Sequence, residues 1–210
     1  MRNPWQDIPL SDYEGHMSLG HIFQLQALNE LMEGQFRDFA AGTVMILGIA
    51  GGNGLEHIRS GGFHRVWGVD VNGEYLDVCR SRFPDLSGVL ELVQADLLAE
   101  DTALPQAELL IADLLVEYIG YDCFARTVEQ VAPQYVSCVI QINTDASFVS
   151  DSPYLHAFDG LDAVHCQMEE DALAACLAAV GYGLIRRKDR PLPNGKKLVQ
   201  LDFARMEPTQ

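Results

Sequence analysis

Carboxylates and glycines recur in this chain at the spacing at which an α/β sheet offers them to a ligand. The run Val44-Met45-Ile46-Leu47-Gly48-Ile49-Ala50-Gly51-Gly52-Asn53-Gly54 carries four apolar residues into a loop of small ones. A buried strand that ends in a loop with almost no side chains lets a ligand approach the backbone closely. Asp70 lies 18 positions beyond Gly52, about the spacing at which a carboxylate ending the second strand accepts from two ribose hydroxyls. An ionised carboxylate suits that task because it only accepts and can take both hydroxyls at once. Asp96, after Leu92-Val93-Gln94-Ala95, fits the exocyclic amino group of an adenine. Asp113 ends a fourth apolar run, and Asn143, Thr144 and Asp145 follow a fifth. Ahead of all of these, Asp12-Tyr13-Glu14-Gly15-His16-Met17 gathers donors and acceptors in a leading arm.

The elements that position these residues follow from periodicity. Residues 1–18, with Pro4, Pro9 and Gly15, read as irregular. From Leu19 to Phe39 the apolar residues Ile22, Leu25, Leu28, Met32, Phe36 and Phe39 mark one face of a long amphipathic helix. Strands are expected at 44–47, 65–70, 89–94, 107–112 and 135–142, and helices at 54–60, 72–83 and 120–132. Asn72 caps the second of these helices and Pro84 stops it. A long loop over 143–165 precedes a helix at 168–180, which Gly181 ends. Two closing strands, 182–188 and 197–205, flank a Pro-Leu-Pro-Asn-Gly turn too short for a parallel return.

Short apolar strands alternating with helices imply a parallel sheet covered on both faces. The fold class expected is α/β, a single Rossmann-like sheet of seven strands. It is mostly parallel with an antiparallel C-terminal strand, and an N-terminal helical arm precedes it. Residues 1–42 form the arm and its helix as a lid on the same domain, and 43–206 the domain proper. Ligands of such sheets sit outside the carboxyl ends of the strands, where the residues above converge. The loops facing that end are 112–120, 143–165 and 189–196.

Composition sets the outer bounds. The chain has 210 residues, 48% of them apolar and 21% charged, enough for a full core without staples. No stretch reaches the roughly 18 apolar residues of a membrane span, and Met1 to Leu10 does not read as a secretory signal. Five dispersed cysteines with no C-x-x-C pairing read as reduced thiols of a cytoplasmic protein, not as a disulfide frame or a metal site. A net charge of −16 repels phosphate backbones and so argues against nucleic acid as a partner. The basic residues Arg190, Lys196 and Lys197 stand near the expected mouth and read first as a solvated turn, with an anionic substrate as the second reading.

Taken together, LGIAGGNG, GVD, VQAD, IADLLVEY and the closing GYGLI…KLVQLDF hairpin resemble the class I S-adenosylmethionine-dependent methyltransferases over about Val44 to Arg205. That resemblance implies S-adenosylmethionine as cofactor and methyl transfer by in-line displacement to a small-molecule acceptor. It places Gly48, Ala50, Gly52 and Gly54 along the methionine part and Asp70 with Val71 at the ribose. Asp96 and Leu97 fall at the adenine, and Asp113 with Leu114 near the sulfonium and amino group. Segments before the first strand often cover the cofactor in this family, which makes Tyr13 and His16 the expected lid contacts.

Two positions depart from the family pattern. Ile46 stands where an acidic residue is usual, leaving the cofactor's ammonium group to Asp113 or the arm, and Ala50 replaces a common glycine. His16 and Glu117 are the candidate acid–base residues, with Tyr118 and His156 as alternatives. A magnesium-assisted variant would draw on Asp113, Asn143 and Asp145, but no metal is expected. The competing readings are a non-catalytic cofactor-binding module or complex subunit, a protein methyltransferase, and a nicotinamide-dependent oxidoreductase. Oligomeric state is open.

Overall fold

The computed structural model describes residues 3–143 and 148–207. Thr144 and Asp145 lie outside the described residues. Seven strands form one sheet: β1 (Thr43–Leu47), β2 (Arg65–Asp70), β3 (Leu90–Gln94), β4 (Leu109–Asp113), β5 (Tyr135–Ile142), β6 (Tyr182–Pro191) and β7 (Lys197–Arg205). Their order is β3-β2-β1-β4-β5-β7-β6. The strands β1 to β5 pair in parallel, whereas β7 runs antiparallel between β5 and β6. The expected mostly parallel sheet with one reversed C-terminal strand is present. The reversal follows from the turn, which Leu192 N closes on Lys196 O at 2.9 Å with Gly195 at φ 84°.

The helices are α1 (Leu10–Ser18), α2 (Gln24–Asp38), α3 (Ile58–Gly61), α4 (Gly73–Arg82), α5 (Val116–Val131) and α6 (Glu170–Ala179). The period-two alternation of a strand sends neighbouring side chains to opposite faces. Met45 and Leu47 of β1 therefore enter the core under α5 and α6, with Phe124, Val128, Leu173 and Leu177. Val44 and Ile46 enter the other core, with Met32 and Phe36 of α2 and Leu76 and Cys79 of α4. This burial accounts for Ile46. It is 2% exposed within an apolar layer, where an unpaired carboxylate would carry a heavy desolvation penalty. The chain order reverses between β1 and β4, which opens a crevice at their carboxyl ends.

Several local expectations differ from the structure. Residues 10–18, expected to be irregular, form α1. Gly15 is there a point of close approach, because a Cβ on it would lie 2.6 Å from the Tyr154 ring. The amphipathic helix begins at Gln24 instead of Leu19, since Phe23 adopts a left-handed φ of 58°. After the glycine loop the chain makes a 3-10 turn at Leu55–His57 and only the short α3, not one helix from Gly54. The helix expected from Gly120 starts at Val116 and bends where Gly120 takes φ 75°, ψ 166°. The long loop contains a 3-10 segment, Leu155–Ala163. Among the described residues no helix is long and apolar enough to cross a membrane, and all five cysteines are free thiols.

Candidate functional site

The glycine loop and the end of β2 are tied together by the backbone. Gly48 N and Ile49 N both donate to Val69 O, at 2.8 and 3.1 Å. Ala50 holds φ 47°, which turns its amide onto Asp70 Oδ2 at 2.9 Å. Asn72 N meets Asp70 Oδ1 at 2.9 Å. Each carboxylate oxygen keeps a second lone pair for another donor. Burial nonetheless pushes the Asp70 carboxyl above its ordinary range, against the pull of those amides. Asn72 then caps α4, accepting from Glu74 N at 3.0 Å and Tyr75 N at 3.4 Å.

A cleft partly open to solvent runs along these strand ends. Gly48, Ala50, Asp70 and Val71 form one wall; Asp96, Leu97, Asp113 and Leu114 form another. Gly52 and Gly54 do not line it. A Cβ on Gly52 would sit 2.8 Å from Phe83 and 2.9 Å from Cys79, and one on Gly54 2.7 Å from the Met32 sulfur. Their φ values of 87° and 89° shape the loop from behind, against α4 and α2. Asp96 spends one oxygen on Leu98 N at 3.0 Å.

Asp113 is held by a residue the sequence did not single out. Gln35 of α2, fully buried, donates to Asp113 Oδ1 at 2.9 Å and to Ser137 Oγ at 3.0 Å. The other oxygen, Oδ2, is sealed from solvent and has no hydrogen-bond partner among the described residues. Burial, with added repulsion from Asp202 and Glu117, pushes the Asp113 carboxyl up to about 7. Gln35 carries no sequence signal for this role beyond being a polar residue on the apolar side of α2.

The arm lies across the cleft. Trp5 and Tyr13 both line it. The arm is anchored to α4 and its approach: Asn72 Nδ2 donates to Trp5 O at 3.0 Å, and the Tyr75 hydroxyl to Ile8 O at 2.7 Å. Arg82 holds the Glu14 carboxylate through both terminal nitrogens, one of them at 2.8 Å. Burial and the charges of Asp70, Glu14, Asp113 and Glu117 all raise the Tyr13 phenol, which stays a hydrogen-bond donor. Trp5 also meets Tyr118 edge to face, 4.8 Å between centroids. Trp5, inside a proline-flanked stretch, gave no periodic signal that would place it here.

A second chamber adjoins the first and shares Trp5, Tyr13, Leu114 and Tyr118 with it. His16 and Glu117, far apart in sequence, both line it. The His16 ring, 4% exposed, pairs through Nδ1 with Ser152 Oγ at 2.8 Å, and burial, aided by Lys196 and His21, brings it down to about 4. Glu117, in the first turn of α5, accepts from Gln141 N at 2.7 Å with Oε1, and burial pushes it up to about 7. His156 is exposed and pairs with Asp159 instead.

The basic residues of the closing hairpin are tied up elsewhere. Arg190 pairs with Glu30 at 2.6 Å, and Lys197 with Asp189 at 3.2 Å. Lys196 donates to Phe148 O at 3.0 Å beside the second chamber. Asn143, which with Asp113 is a described member of the magnesium set, is bonded to Gln141 at 2.6 Å and Gln167 at 3.2 Å. Among the described residues no group of three or more His, Cys, Asp or Glu side chains is placed to hold a metal ion.

No family model matches the chain, and neither does any curated protein. Solved structures do match. The methyltransferase domain of bacterial CtHen1-C superimposes with a TM-score of 0.67 at 18% identity, covering 87% of this chain and 100% of that one. The fold is that of the class I methyltransferases. Magnesium protoporphyrin IX methyltransferase from Synechocystis, solved with bound SAH, matches at a TM-score of 0.61 and 11% identity, covering 92% and 87% of the two chains. The [4+2]-cyclase SpnF matches equally well, at a TM-score of 0.65 and 10% identity over 86% and 81%. The class I methyltransferase fold thus extends to proteins whose reactions differ.

Proposed function

We propose that this chain is an S-adenosylmethionine-dependent methyltransferase acting on a small molecule. The observation that carries this reading is the set of carboxylates on the wall of the cleft. Asp70, Asp96 and Asp113 stand on successive strand ends, and Asp113 Oδ2 is buried without a partner among the described residues. S-adenosylmethionine complements such a wall with an ammonium group, a sulfonium, two ribose hydroxyls and an adenine amino group, all cations or donors. Asp113 takes the ammonium group that Ile46 cannot hold, Asp70 the ribose, and Asp96 the adenine. A dinucleotide fits less well. Among the described residues no Lys or Arg lines the cleft, and only the short α3 follows the glycine loop to offer a helix N-terminus to a pyrophosphate.

When bound, the cofactor supplies a methyl group already activated on its sulfonium, so the protein's task is to position and deprotonate the acceptor. Trp5, Tyr13 and Tyr118 close the junction of the two chambers and exclude water from it. Of the two acid–base candidates, Glu117 at about 7 is matched to proton transfer near neutral pH, whereas His16 at about 4 is a weak base. His16 acts as a positioning residue, held by Ser152. A second reading draws on the cyclase neighbour: a chain of this fold can serve a reaction other than methyl transfer.

Calorimetry with S-adenosylmethionine and S-adenosylhomocysteine tests the proposal on wild type and Asp70→Ala, with NAD as control. Micromolar binding of both sulfur ligands, lost in Asp70→Ala, is the expected result. Failure to bind either one, or preference for NAD, would overturn it. Binding without turnover on any acceptor would favour the second reading.

A further inference from the structure

We infer that the second chamber is the acceptor site and that its ligand is a protonated amine on an apolar, planar body, its N–H directed at Glu117 Oε2. This deepens the methyl-transfer reading above and rests on it. Glu117 is only 3% exposed, its Oε1 is occupied by Gln141 N at 2.7 Å, and Oε2 has no partner among the described residues. A buried acceptor without a partner, on a side chain that lines a cavity, calls for a donor from the ligand, because an unsatisfied carboxylate oxygen is costly to maintain.

The rest of the chamber narrows the donor's type. Its walls are aromatic, with Phe158 4.8 Å from the His16 ring and Phe148 stacked on His165 at 3.8 Å between centroids. Aromatic faces attract cations and bury flat apolar groups. Burial lowers both histidines, so neither sets a positive charge against a cationic guest near neutral pH. The ammonium of Lys196 is directed to Phe148 O and does not line the chamber. The field of a chain with net charge −16 concentrates cations and repels carboxylates. A neutral alcohol could donate to Oε2 but would leave the ionised carboxylate's charge uncompensated.

The step balances. The ammonium gives its proton to Glu117 Oε2, and the freed nitrogen lone pair forms the N–C bond to the methyl group. The C–S bond breaks with its electron pair on sulfur, turning the sulfonium into a thioether. The product leaves as a methylated ammonium ion, and Glu117 returns its proton to solvent.

The test uses three probes of one shape: phenethylamine, 2-phenylethanol and 3-phenylpropionate. Binding is measured by calorimetry on the full chain, with and without S-adenosylhomocysteine, for wild type, Glu117→Gln and Phe158→Leu. The expectation is that the amine binds at least about tenfold tighter than the alcohol, that the acid does not bind, and that Glu117→Gln removes the preference. Glu117→Gln should still bind S-adenosylhomocysteine, which shows that the variant is folded. Phe158→Leu should weaken the amine while keeping its advantage over the alcohol. Equal affinity for amine and alcohol, an unchanged preference in Glu117→Gln, or no probe binding by a protein that binds S-adenosylhomocysteine would each overturn the amine assignment alone. Amine binding with no binding of either sulfur ligand would instead overturn the methyltransferase reading and keep the amine site.

Discussion

Replacing Glu117 by Gln should make the protein's stability less sensitive to pH, by an amount the structure sets. The carboxyl has an ordinary value of 4.5 and is raised by burial to about 7 in the folded chain. A group whose folded value is raised stabilises the fold fully below 4.5, and that contribution is lost as pH climbs through 7. The gap corresponds to about 3 kcal/mol, at about 1.4 kcal/mol per pH unit. Glutamine keeps an acceptor for Gln141 N but leaves an unsatisfied donor where Oε2 was. Because the protonated acid has a comparable unsatisfied group, that cost largely cancels when low and high pH are compared within each variant. Asp113 feels the charge of Glu117, so its removal eases Asp113 as well and acts in the same direction. Thermal unfolding of the ligand-free protein at pH 5 and pH 8 is the assay. About 2.5 kcal/mol of that contribution falls between pH 5 and pH 8. Wild type should therefore lose about 5–10 °C more than Glu117→Gln over that interval, taking about 2–4 °C per kcal/mol for a chain of this size. Parallel profiles for the two proteins would refute the assignment of a buried, ionisable Glu117.

Three further outcomes follow from particular contacts. Gly52→Ala should destabilise by roughly 1–3 kcal/mol in denaturant titration, because φ 87° and atoms of Phe83, Cys79 and Leu55 within 2.9 Å leave no room for a methyl group. Tyr182→Phe removes a buried donor to Pro133 O at 2.7 Å and should cost about 1–2 kcal/mol by the same measurement, with no effect on ligand binding. Arg82→Ala breaks the partly exposed pair with Glu14. Global stability should fall by no more than about 1 kcal/mol, while hydrogen exchange of residues 10–18 accelerates and S-adenosylhomocysteine dissociates faster.

The sheet was legible because its signals are local. A four-residue apolar run, a carboxylate or glycine at its end and a Pro-Asn-Gly turn each act within a few residues of themselves, and those same spacings bring Asp70, Asp96 and Asp113 to one edge. The errors arose where distant packing overrode local preference. Gly15 read as a breaker, yet the Tyr154 ring makes it the residue that lets α1 pass, and Gly120 read as a helix start but bends a helix already begun at Val116. At Gly52 and Gly54, which the family resemblance sets along the cofactor, the missing side chains also make room for Phe83 and Met32.

By itself, then, the sequence determined the strand order's ingredients and the residue types waiting at each strand end, since periodicity and turn chemistry are properties of neighbouring residues. Only the tertiary structure decided that Gln35 of α2 holds Asp113 across 78 positions, that Trp5 lines the cleft, and that His16 and Glu117 share a chamber. Those relations depend on how separate elements pack in three dimensions, and no local rule of spacing encodes them.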